Sequence, residues 1–594
     1  MGEMRELEYP FDSIDILLHQ KKYRKIMSHK EHLEIKRIAI LSGSTVGDLK
    51  GILELFLLNN NIKPQFYEGL YNRFFEEAVF HNQDLNEFRP DVIYIHTTNR
   101  NISRLPTPQM NEAEVMELLR GEMERFESVW KSLAEKYNCP IIQNNFDLMP
   151  FRVFGNADCY YVNGINRFIA MLNDQFSRYA QNHQNFYLCD INYLSAWFGL
   201  EKWSEPGYWY NYKYAMHPEA IPLLAFNVAN IIKALYGKNK KAIITDLDNT
   251  LWGGVIGDDG PGNIKLGVET PQGIAYYELQ QYLKYLKQRG IILCVCSKNE
   301  EEMAYEGINS SAGVLSEDDF AVIKANWNEK HENIVEICRE INLLPESMVF
   351  LDDNEVERDS VKAFIPRITV PELNEPAYYR KILDQCGFFE CVGFTEDDKF
   401  RTEFYRANIE RENLKLKYDN YDDYLLSLQM KALVEPFTHV NIERVCQLIN
   451  KTNQFNLTGI RFSQSELEHT IGSENNITLC ARLTDKFGDN GIVSAVIGEF
   501  DYKGVLTIVS WVMSCRVFKR HLEYLVFDKL VEKCLEKGIK SIRGIYVDTG
   551  RNKLCSDFYS QLGFTKKEQT DERTEWEYLI YKDYKIKNTV IEVL

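Results

Sequence analysis

The stretch IITDLDNTLWGGVIGDDG, residues 243–260, places two aspartates one residue apart at the end of an apolar run. In an extended strand, residues i and i+2 point to the same side, so Asp246 and Asp248 should face one small space. Two like charges this close are costly unless a cation lies between them or one carboxylate holds a proton. The spacing therefore predicts a cation-binding acidic site at the tip of a strand.

Polar residues also end two later strand-like runs, 290–300 and 347–358, and these residues are Cys296, Ser297, Lys298, Asn299, Asp352 and Asp353. Lys330 lies between the two runs. Open α/β sheets bind ligands in the crevice beyond the carboxyl ends of their strands. We therefore expect these side chains to gather around Asp246.

Carboxylates, a hydroxyl group and a lysine are a set suited to phosphoryl transfer. Carboxylate oxygens with spare negative charge select Mg²⁺, which we expect between Asp246 and Asp352. Asp246 would then attack phosphorus, and Asp248 would act as general acid and base. Ser297 and Lys330 would hold the phosphoryl oxygens. The alternative interpretation is a solvated cluster of acids on loops.

The order DLDNT, strand-end serine, lysine and DD resembles the haloacid dehalogenase (HAD) phosphotransferase superfamily. The runs DLDNTLWGGVIGDDG, VCSKNE, FLDDNEVER and KTNQFNLT (451–458) are similar to its FkbH-like subgroup in subclass IIIC. The resemblance implies Asp246 as nucleophile, Asp248 as acid and base, and Lys330 as the stabilising lysine, with Lys324 as its alternative. It also implies phosphate ligands at Thr250, Ser297 and Lys298, and Mg²⁺ ligands at Asp246, Asp248 (through its carbonyl), Asp352 and Asp353.

The resemblance also implies a substrate. Known members of the subgroup dephosphorylate 1,3-bisphosphoglycerate and pass its glyceryl unit as a thioester to an acyl carrier protein. Cys296 could capture the acyl group, since Lys298, Lys330 and Mg²⁺ nearby would favour its thiolate; Cys515 is the alternative thiol. Two other interpretations stay open: a plain phosphatase or phosphotransferase acting on a sugar or other small phosphate in polysaccharide or secondary-metabolite biosynthesis, and a carrier-protein docking scaffold.

The order of strand-like and helical runs predicts an α/β multidomain protein. Strand-like runs at 35–45, 63–69, 90–98, 139–145 and 185–191 alternate with helical stretches such as 111–137, which predicts a flavodoxin- or SGNH-like α/β domain over 1–236. A HAD Rossmann-like domain follows over 240–395; it lacks a large cap because only residues 251–289 separate its first two motifs. A helical bridge is expected over 396–432 and a GNAT-like α+β domain, with helices on one sheet face, over 433–594.

The two flanking domains carry weaker signals. LSGST (41–45) resembles the first block of SGNH esterases, with Ser44, Asn99 and His217 as candidate residues, but Tyr214 stands where the orienting acid is expected. An inert docking domain is therefore predicted. The run NKLCSDFYSQLGF (552–564) resembles GNAT acyltransferases, yet Lys519 and His521 replace the glycines of the CoA-binding turn. Lys519 and Arg520 could still attract a phosphopantetheine phosphate.

Composition narrows the class of protein. The 594 residues carry a net charge of −18, which argues against a nucleic-acid partner because such proteins present a basic face. Thirteen cysteines without CxxC pairs indicate neither a disulfide framework nor a zinc site. The first residues lack signal-peptide features and no apolar run could span a membrane, so we expect a cytoplasmic protein with no membrane partner.

Overall fold

Three β-sheets are formed by the residues that the computed structural model describes, which are 4–30, 33–394, 399, 401–452, 454–462, 464–550, 552–570, 573–581 and 583–594. The chain divides into two compact units. One comprises Met1–Asn239 with Asp384–Val392, and the other Lys240–Leu383 with Gly393–Leu594. Within the described ranges, every helix is too short or too polar to cross a membrane.

The first unit contains a five-stranded parallel sheet in the order β2-β1-β3-β4-β5. Its strands are β1 (Glu34–Ser42), β2 (Ile62–Glu68), β3 (Val92–His96), β4 (Ile141–Asn144) and β5 (Phe186–Cys189). This is the flavodoxin-like order, so the predicted α/β fold and all five predicted strands are confirmed. The strands end earlier than predicted because polar residues that follow them form loops at the carboxyl edge.

Ten α-helices of the described residues accompany this sheet: α1 (Ser13–Met27), α2 (Gly47–Asn59), α3 (Phe74–Val79), α4 (Gln83–Phe88), α5 (Glu112–Tyr137), α6 (Ile165–Asn182), α7 (Ile191–Phe198), α8 (Leu200–Trp203), α9 (Pro206–Tyr212) and α10 (Ile221–Leu235). Alternate residues of β1 enter two apolar clusters: Ile38 and Ile40 pack with α2 and α10, and Ala39 and Leu41 with α5 and α6. Helices therefore cover both faces of the sheet.

The second sheet is parallel, with four strands in the order β8-β7-β6-β9. Its strands are β6 (Ala242–Thr245), β7 (Ile292–Ser297), β8 (Phe320–Ala325) and β9 (Met348–Leu351). The sequence patterns did not indicate β8, because it is an edge strand in which half-exposed residues interrupt the apolar run. The other three strands were predicted.

The helices around this sheet are α11 (Ile256–Asp259), α12 (Pro271–Gln288), α13 (Glu301–Ile308), α14 (Lys330–Glu340), α15 (Glu355–Phe364) and α16 (Pro376–Gln385). Thr270 caps α12, since its hydroxyl accepts a hydrogen bond from Gly273 N at 3.0 Å. Between β6 and α12 the only helix is the four-residue α11. A large cap is thus absent from this stretch, all of which is described.

The third sheet has eight strands in the order β15-β16-β14-β13-β12-β11-β10-β17 and is mostly antiparallel. The strands are β10 (Lys431–Glu435), β11 (Asn476–Asp485), β12 (Gly488–Phe500), β13 (Val505–Met513), β14 (Ser541–Val547), β15 (Thr565–Gln569), β16 (Arg573–Leu579) and β17 (Glu592–Val593). The pairs β13–β14 and β10–β17 are parallel. The expected α+β fold is confirmed for this part of the chain.

Two helices precede the strands of this sheet along the chain: α17 (Arg401–Lys415) and α18 (Tyr421–Ser427). Four more occur between its strands along the chain: α19 (Ile442–Lys451), α20 (Gln464–Glu468), α21 (Leu522–Glu536) and α22 (Phe558–Gln561). The expectation that helices cover one face only is wrong. Helices α18 and α21 pack in one apolar cluster, whereas α19 and α20 pack in another that draws on Cys480, Ala495 and Val512. Both sheet faces are apolar and both need covering.

Candidate active site

Three strand tips meet at the carboxyl edge of the second sheet. Asp246 follows β6, Ser297 ends β7 and Asp352 follows β9. Because β6 pairs with both β7 and β9, residues just beyond these strands lie side by side. The structure thus brings the predicted residues of three separate motifs together.

Asp246 is almost fully buried, with 6% of its surface exposed. Its Oδ2 lies 2.9 Å from Lys330 Nζ. Its Oδ1 is also buried and has no hydrogen-bond partner among the described residues. A buried carboxylate oxygen without a donor is costly unless a ligand completes it.

Lys330 links Asp246 to Asp352, since its Nζ also lies 2.5 Å from Asp352 Oδ2. Burial opposes the charge of Lys330, but Asp246 and Asp352 outweigh it and raise the pKa of the ammonium group. Burial, followed by the Asp246 charge, raises the pKa of Asp352 to about 6 although Lys330 opposes this rise. Of the two candidate lysines, Lys330 therefore contacts the acids, whereas Lys324 pairs with Glu336 and Glu340.

Asp246, Asp352 and Asp353 each bring one carboxylate oxygen within 4.8 Å of the others. Lys330 and the buried Arg358 supply two positive charges against these three acids. Burial and then Asp246 also raise the pKa of Asp353. A dense set of oxygen ligands with surplus negative charge and an unbonded Asp246 oxygen fits a hard divalent cation such as Mg²⁺.

The acids open into a polar pocket of about 220 Å³. It is lined by Asp246, Asp248, Asn249, Val255, Ser297, Lys298, Lys330, Asp353, Asn354 and Glu357. A second cavity of about 290 Å³ lies beside Arg406 and holds none of the predicted residues. The pocket of about 220 Å³ is the candidate site because acids, a hydroxyl group and lysines converge there.

Three hydrogen-bond donors hold the Asp248 carboxylate. Oδ1 accepts from Trp252 Nε1 at 2.9 Å and from Ile256 N at 3.0 Å, and Oδ2 accepts from Asn299 Nδ2 at 2.9 Å. The sequence patterns did not indicate Trp252, and they placed Asn299 at the end of its strand without giving it a role. Its position two residues after Ser297, beyond the same strand, is the signal that points to the site.

Thr250 is fully buried behind the pocket rather than lining it. Its Oγ1 accepts a hydrogen bond from Asp353 N at 3.2 Å. Thr250 is therefore not placed to contact a phosphate in the pocket. Its hydroxyl instead holds the turn after β9 that carries the acids.

Lys298 lines the pocket but is tied to two acids. Its Nζ lies 2.9 Å from Glu357 and 3.4 Å from Glu329. The hydrogen bond to Glu357 is the main cause of the raised pKa of Lys298. Lys298 thus neutralises Glu357 at the pocket wall, and any phosphate ligand there would compete with that pair.

Cys296 faces away from the pocket, and the expectation of a favoured thiolate is wrong. The residue is fully buried in an apolar cluster with Ile244, Phe350 and Ile334. Burial raises the pKa of the thiol, and Lys330 opposes this only in part. Along β7, side chains alternate between faces, so Ser297 reaches the pocket while Cys296 enters the core.

The SGNH-like candidates of the first unit do not bond one another. Asn99 donates through Nδ2 to Leu148 O at 3.1 Å, and His217 Nδ1 accepts from Glu219 N at 3.2 Å. Ser44 Oγ is buried, and no hydrogen bond within the described ranges reaches it. The three residues therefore form no hydrogen-bonded relay.

The turn at 516–521 keeps the backbone of a glycine turn without its glycines. Lys519 and His521 both have a φ of 62°, the left-handed region that favours glycine. Arg520 is buried, with Nη1 3.1 Å from Asp485 and Nη2 2.7 Å from Asn408. The expectation that Arg520 could attract a phosphate is therefore wrong. The side chain of Cys515 lies outside the described residues.

The gap between β13 and β14 is filled by the chain itself. The two strands pair only at 505–507 with 541–543. Beyond that, Leu457 N donates to Trp511 O at 3.2 Å and Val547 N donates to Leu457 O at 2.8 Å. Part of the KTNQFNLT motif thus lies between the two diverging strands and hydrogen-bonds to both.

Comparisons with known proteins find a matching family model and a related solved structure. A family model described as the FkbH N-terminal domain matches residues 37–233. The N-terminal part of the Bacteroides fragilis protein BF1531, which contains a phosphatase domain and was crystallised with Mg, is 31% identical with a TM-score of 0.58. It covers 63% of this chain, and this chain covers 99% of it. None of the curated proteins matches.

Acetyltransferases match about a quarter of the chain. The ribosomal-protein-S18-alanine N-acetyltransferase of Escherichia coli is 10% identical, with a TM-score of 0.21, over 26% of this chain and 99% of its own. A GNAT-family acetyltransferase of Streptococcus pneumoniae is 17% identical, with a TM-score of 0.21, over 25% of this chain and 100% of its own. Such low scores carry no argument on activity. On the strength of the family model and the phosphatase-domain relative, this chain belongs to the FkbH family and carries a phosphatase domain of the HAD type.

Proposed function

We propose that the central domain catalyses Mg²⁺-dependent phosphoryl transfer from a small phosphorylated substrate, with Asp246 as the nucleophile. The observation that carries this proposal is the Asp246 carboxylate, whose Oδ1 is buried and unbonded while Lys330 holds Oδ2. An oriented oxygen that no donor occupies keeps its lone pairs for a ligand or for phosphorus.

Mg²⁺ would be held by Asp246, Asp352 and Asp353 with the main-chain carbonyl of Asp248. Support comes from the three clustered carboxylates and from the Mg in the Bacteroides fragilis structure. When bound, the ion neutralises charge on the carboxylates and the phosphate, which lowers the cost of bringing two anions together.

The protein's own residues supply the remaining steps. Asp246 forms a bond to phosphorus as the bond to the leaving oxygen breaks, and Asp248 gives that oxygen its proton. Water then attacks the phosphoaspartate, Asp248 takes a proton from the water, and Asp246 leaves as a carboxylate. The Ser297 hydroxyl group and the Lys330 ammonium group donate hydrogen bonds to the phosphoryl oxygens.

The substrate in this proposal is a phosphorylated three-carbon donor, 1,3-bisphosphoglycerate, whose glyceryl unit passes as a thioester to an acyl carrier protein. Membership of the FkbH family, a pocket of about 220 Å³ and the short segment between β6 and α12 support a small donor and a tethered acceptor. The carrier thiol gives up its proton and bonds to the acyl carbon as the C1–O bond breaks and the C1 phosphate leaves, and Asp246 takes the phosphoryl group from O3 at the other end. Since Cys296 is buried, we assign the thiol to the carrier.

A second candidate is a plain phosphatase or phosphotransferase that acts on a sugar or other small phosphate. The burial of Cys296 favours it, because a phosphatase needs no thiol. A mere docking scaffold is disfavoured by the assembled acids and lysine, since an unused cluster of buried charges would be costly to keep.

The test is phosphate release from 1,3-bisphosphoglycerate with Mg²⁺, with and without a phosphopantetheinylated carrier protein, followed by intact-protein mass spectrometry. We expect phosphate release and a hydroxylamine-labile glyceryl adduct on the carrier. Asp246→Asn should keep the phosphoryl group on O3 and so yield no unphosphorylated glyceryl adduct, whereas Asp258→Asn, an exposed acid outside the pocket, should give the wild-type products. Phosphate release without any adduct would favour the plain phosphatase, and an unphosphorylated glyceryl adduct made by Asp246→Asn would refute the proposed nucleophile.

A further inference from the structure

We infer that Asn299 is a positioning residue that serves two groups at once, directing one oxygen of Asp248 towards the leaving group and the Ser297 hydroxyl hydrogen towards the phosphoryl group. The inference rests on the proposed phosphoryl transfer and assigns a role to a residue of the VCSKNE motif that the sequence patterns left without one. Asn299 follows β7 and is 4% exposed.

The Asn299 amide nitrogen makes two hydrogen bonds. It lies 2.9 Å from Asp248 Oδ2 and 3.1 Å from Ser297 Oγ. An amide nitrogen carries two hydrogens, so it donates one to each partner. One buried side chain therefore ties the acid and base group to the phosphate-binding hydroxyl.

The number of hydrogen-bond donors at each carboxylate oxygen identifies the reactive oxygen of Asp248. Oδ1 accepts from both Trp252 Nε1 and Ile256 N. A carboxylate oxygen offers about two lone-pair sites, so Oδ1 is fully engaged. Oδ2 accepts only from Asn299 among the described residues and keeps one site for a proton. Asn299 thus sets the direction of the lone pair that exchanges the proton.

The hydrogen bond from Asn299 to Ser297 also sets the direction of the Ser297 hydroxyl hydrogen. A hydroxyl group has one hydrogen and can also accept. Because Ser297 Oγ accepts from Asn299, its hydrogen is free to point elsewhere. A phosphoryl oxygen can only accept, so this orientation is the one that a phosphate ester requires.

The consequence differs between leaving groups. An alkoxide leaves only when it is protonated, whereas nitrophenolate leaves readily without a proton. If the Asp248 carboxylate is no longer oriented, the reaction of an alkyl ester should therefore slow far more than that of an aryl ester. It should also slow the second step, in which Asp248 takes a proton from water, with either ester.

The experiment compares glycerol 3-phosphate with 4-nitrophenyl phosphate in the full-length enzyme with Mg²⁺. For Asn299→Ala we expect kcat to fall about 100-fold on the alkyl ester and less than about 10-fold on the aryl ester, as general acid catalysis is typically worth about 10²–10⁴. With the aryl ester, acid-quenched mass spectrometry should show phosphorylated Asp246 accumulating. Ser297→Ala should instead raise KM for both esters alike, and Asn309→Ala, at an exposed amide just after helix α13, should match wild type.

Asn299→Asp, which is isosteric, guards against misfolding of the alanine variant. It removes both donors, so we expect the same leaving-group dependence together with a raised KM. An equal loss on both esters in both variants, or no phosphoenzyme build-up, would overturn the inference. Failure of the proposed function is recognised separately, because wild type would then turn over neither ester.

Discussion

Lys330 forms ion pairs with two buried acids of the site, since its Nζ contacts both Asp246 and Asp352. Lys330→Met should lower activity by about 100-fold or more through lost transition-state contact. It should also destabilise the metal-free protein by about 3 kcal/mol, because two buried carboxylates lose their partner. Thermal unfolding with and without Mg²⁺ measures this, and Mg²⁺ should raise the melting temperature of the variant more than that of wild type.

Lys324→Met is the matched control for this prediction. Lys324 pairs with Glu336 and Glu340 at a partly exposed position, where an ion pair is worth at most about 1 kcal/mol. Its activity should stay close to that of wild type. An equal response of the two variants to Mg²⁺ would show that Lys330 does not share its site with the ion.

Cys296 gives a second prediction at the scale of the residue. Because the thiol is fully buried and its pKa is raised by burial, iodoacetamide should leave it unmodified in the native protein. Cys159 and Cys391 are exposed and should react. Peptide mass spectrometry after brief labelling provides the measurement, and rapid labelling of Cys296 would restore it as a candidate acyl carrier.

At the scale of the element, the turn at 516–521 stores backbone strain. Lys519 holds a φ of 62°, and a residue with a Cβ pays about 1–2 kcal/mol in this region. Lys519→Gly should therefore raise the free energy of unfolding by about 0.5 kcal/mol, after the extra freedom of glycine in the unfolded chain is subtracted. Lys519→Ala retains the Cβ and should not stabilise. Urea unfolding of wild type, Lys519→Gly and Lys519→Ala measures these differences. Stabilisation by Lys519→Ala without stabilisation by Lys519→Gly would contradict the strain argument.

At the scale of the whole molecule, one buried histidine makes the stability of the first unit depend on pH. Burial lowers the pKa of His96 to about 4 from an ordinary 6.5. The folded protein thus binds fewer protons than the unfolded chain between these values, so the free energy of unfolding falls as pH drops from 6.5 to 4. At pH 5 the loss from His96 is about 2 kcal/mol.

His96→Gln isolates this contribution. Asp147 acts in the opposite direction, since burial raises its pKa to about 6, but it is present in both proteins and cancels in the comparison. Between pH 7 and pH 5 the variant should lose about 2 kcal/mol less than wild type in urea unfolding. Equal losses would mean that His96 is protonated in the folded state.

Much of the fold was readable from local patterns. The apolar runs that became β1, β6 and β7 are continuous because both faces of a parallel sheet are buried. The amphipathic stretch 111–137 became α5 with a shift of one residue. Edge strand β8 and the sheet face that α19 covers could not be predicted, since both depend on neighbours far along the chain.

Residue types and spacing alone were enough to predict the chemistry of the site, because aspartates, a serine and a lysine at strand ends form a recognisable set. The roles of individual side chains required the folded structure: Thr250 and Cys296 lie behind the pocket, Lys298 pairs with Glu357, and Asn299 joins Asp248 to Ser297. Spacing along a strand gives the alternation of faces. Which face meets the pocket, and which donor reaches which oxygen, follows from packing between segments that are distant in the chain.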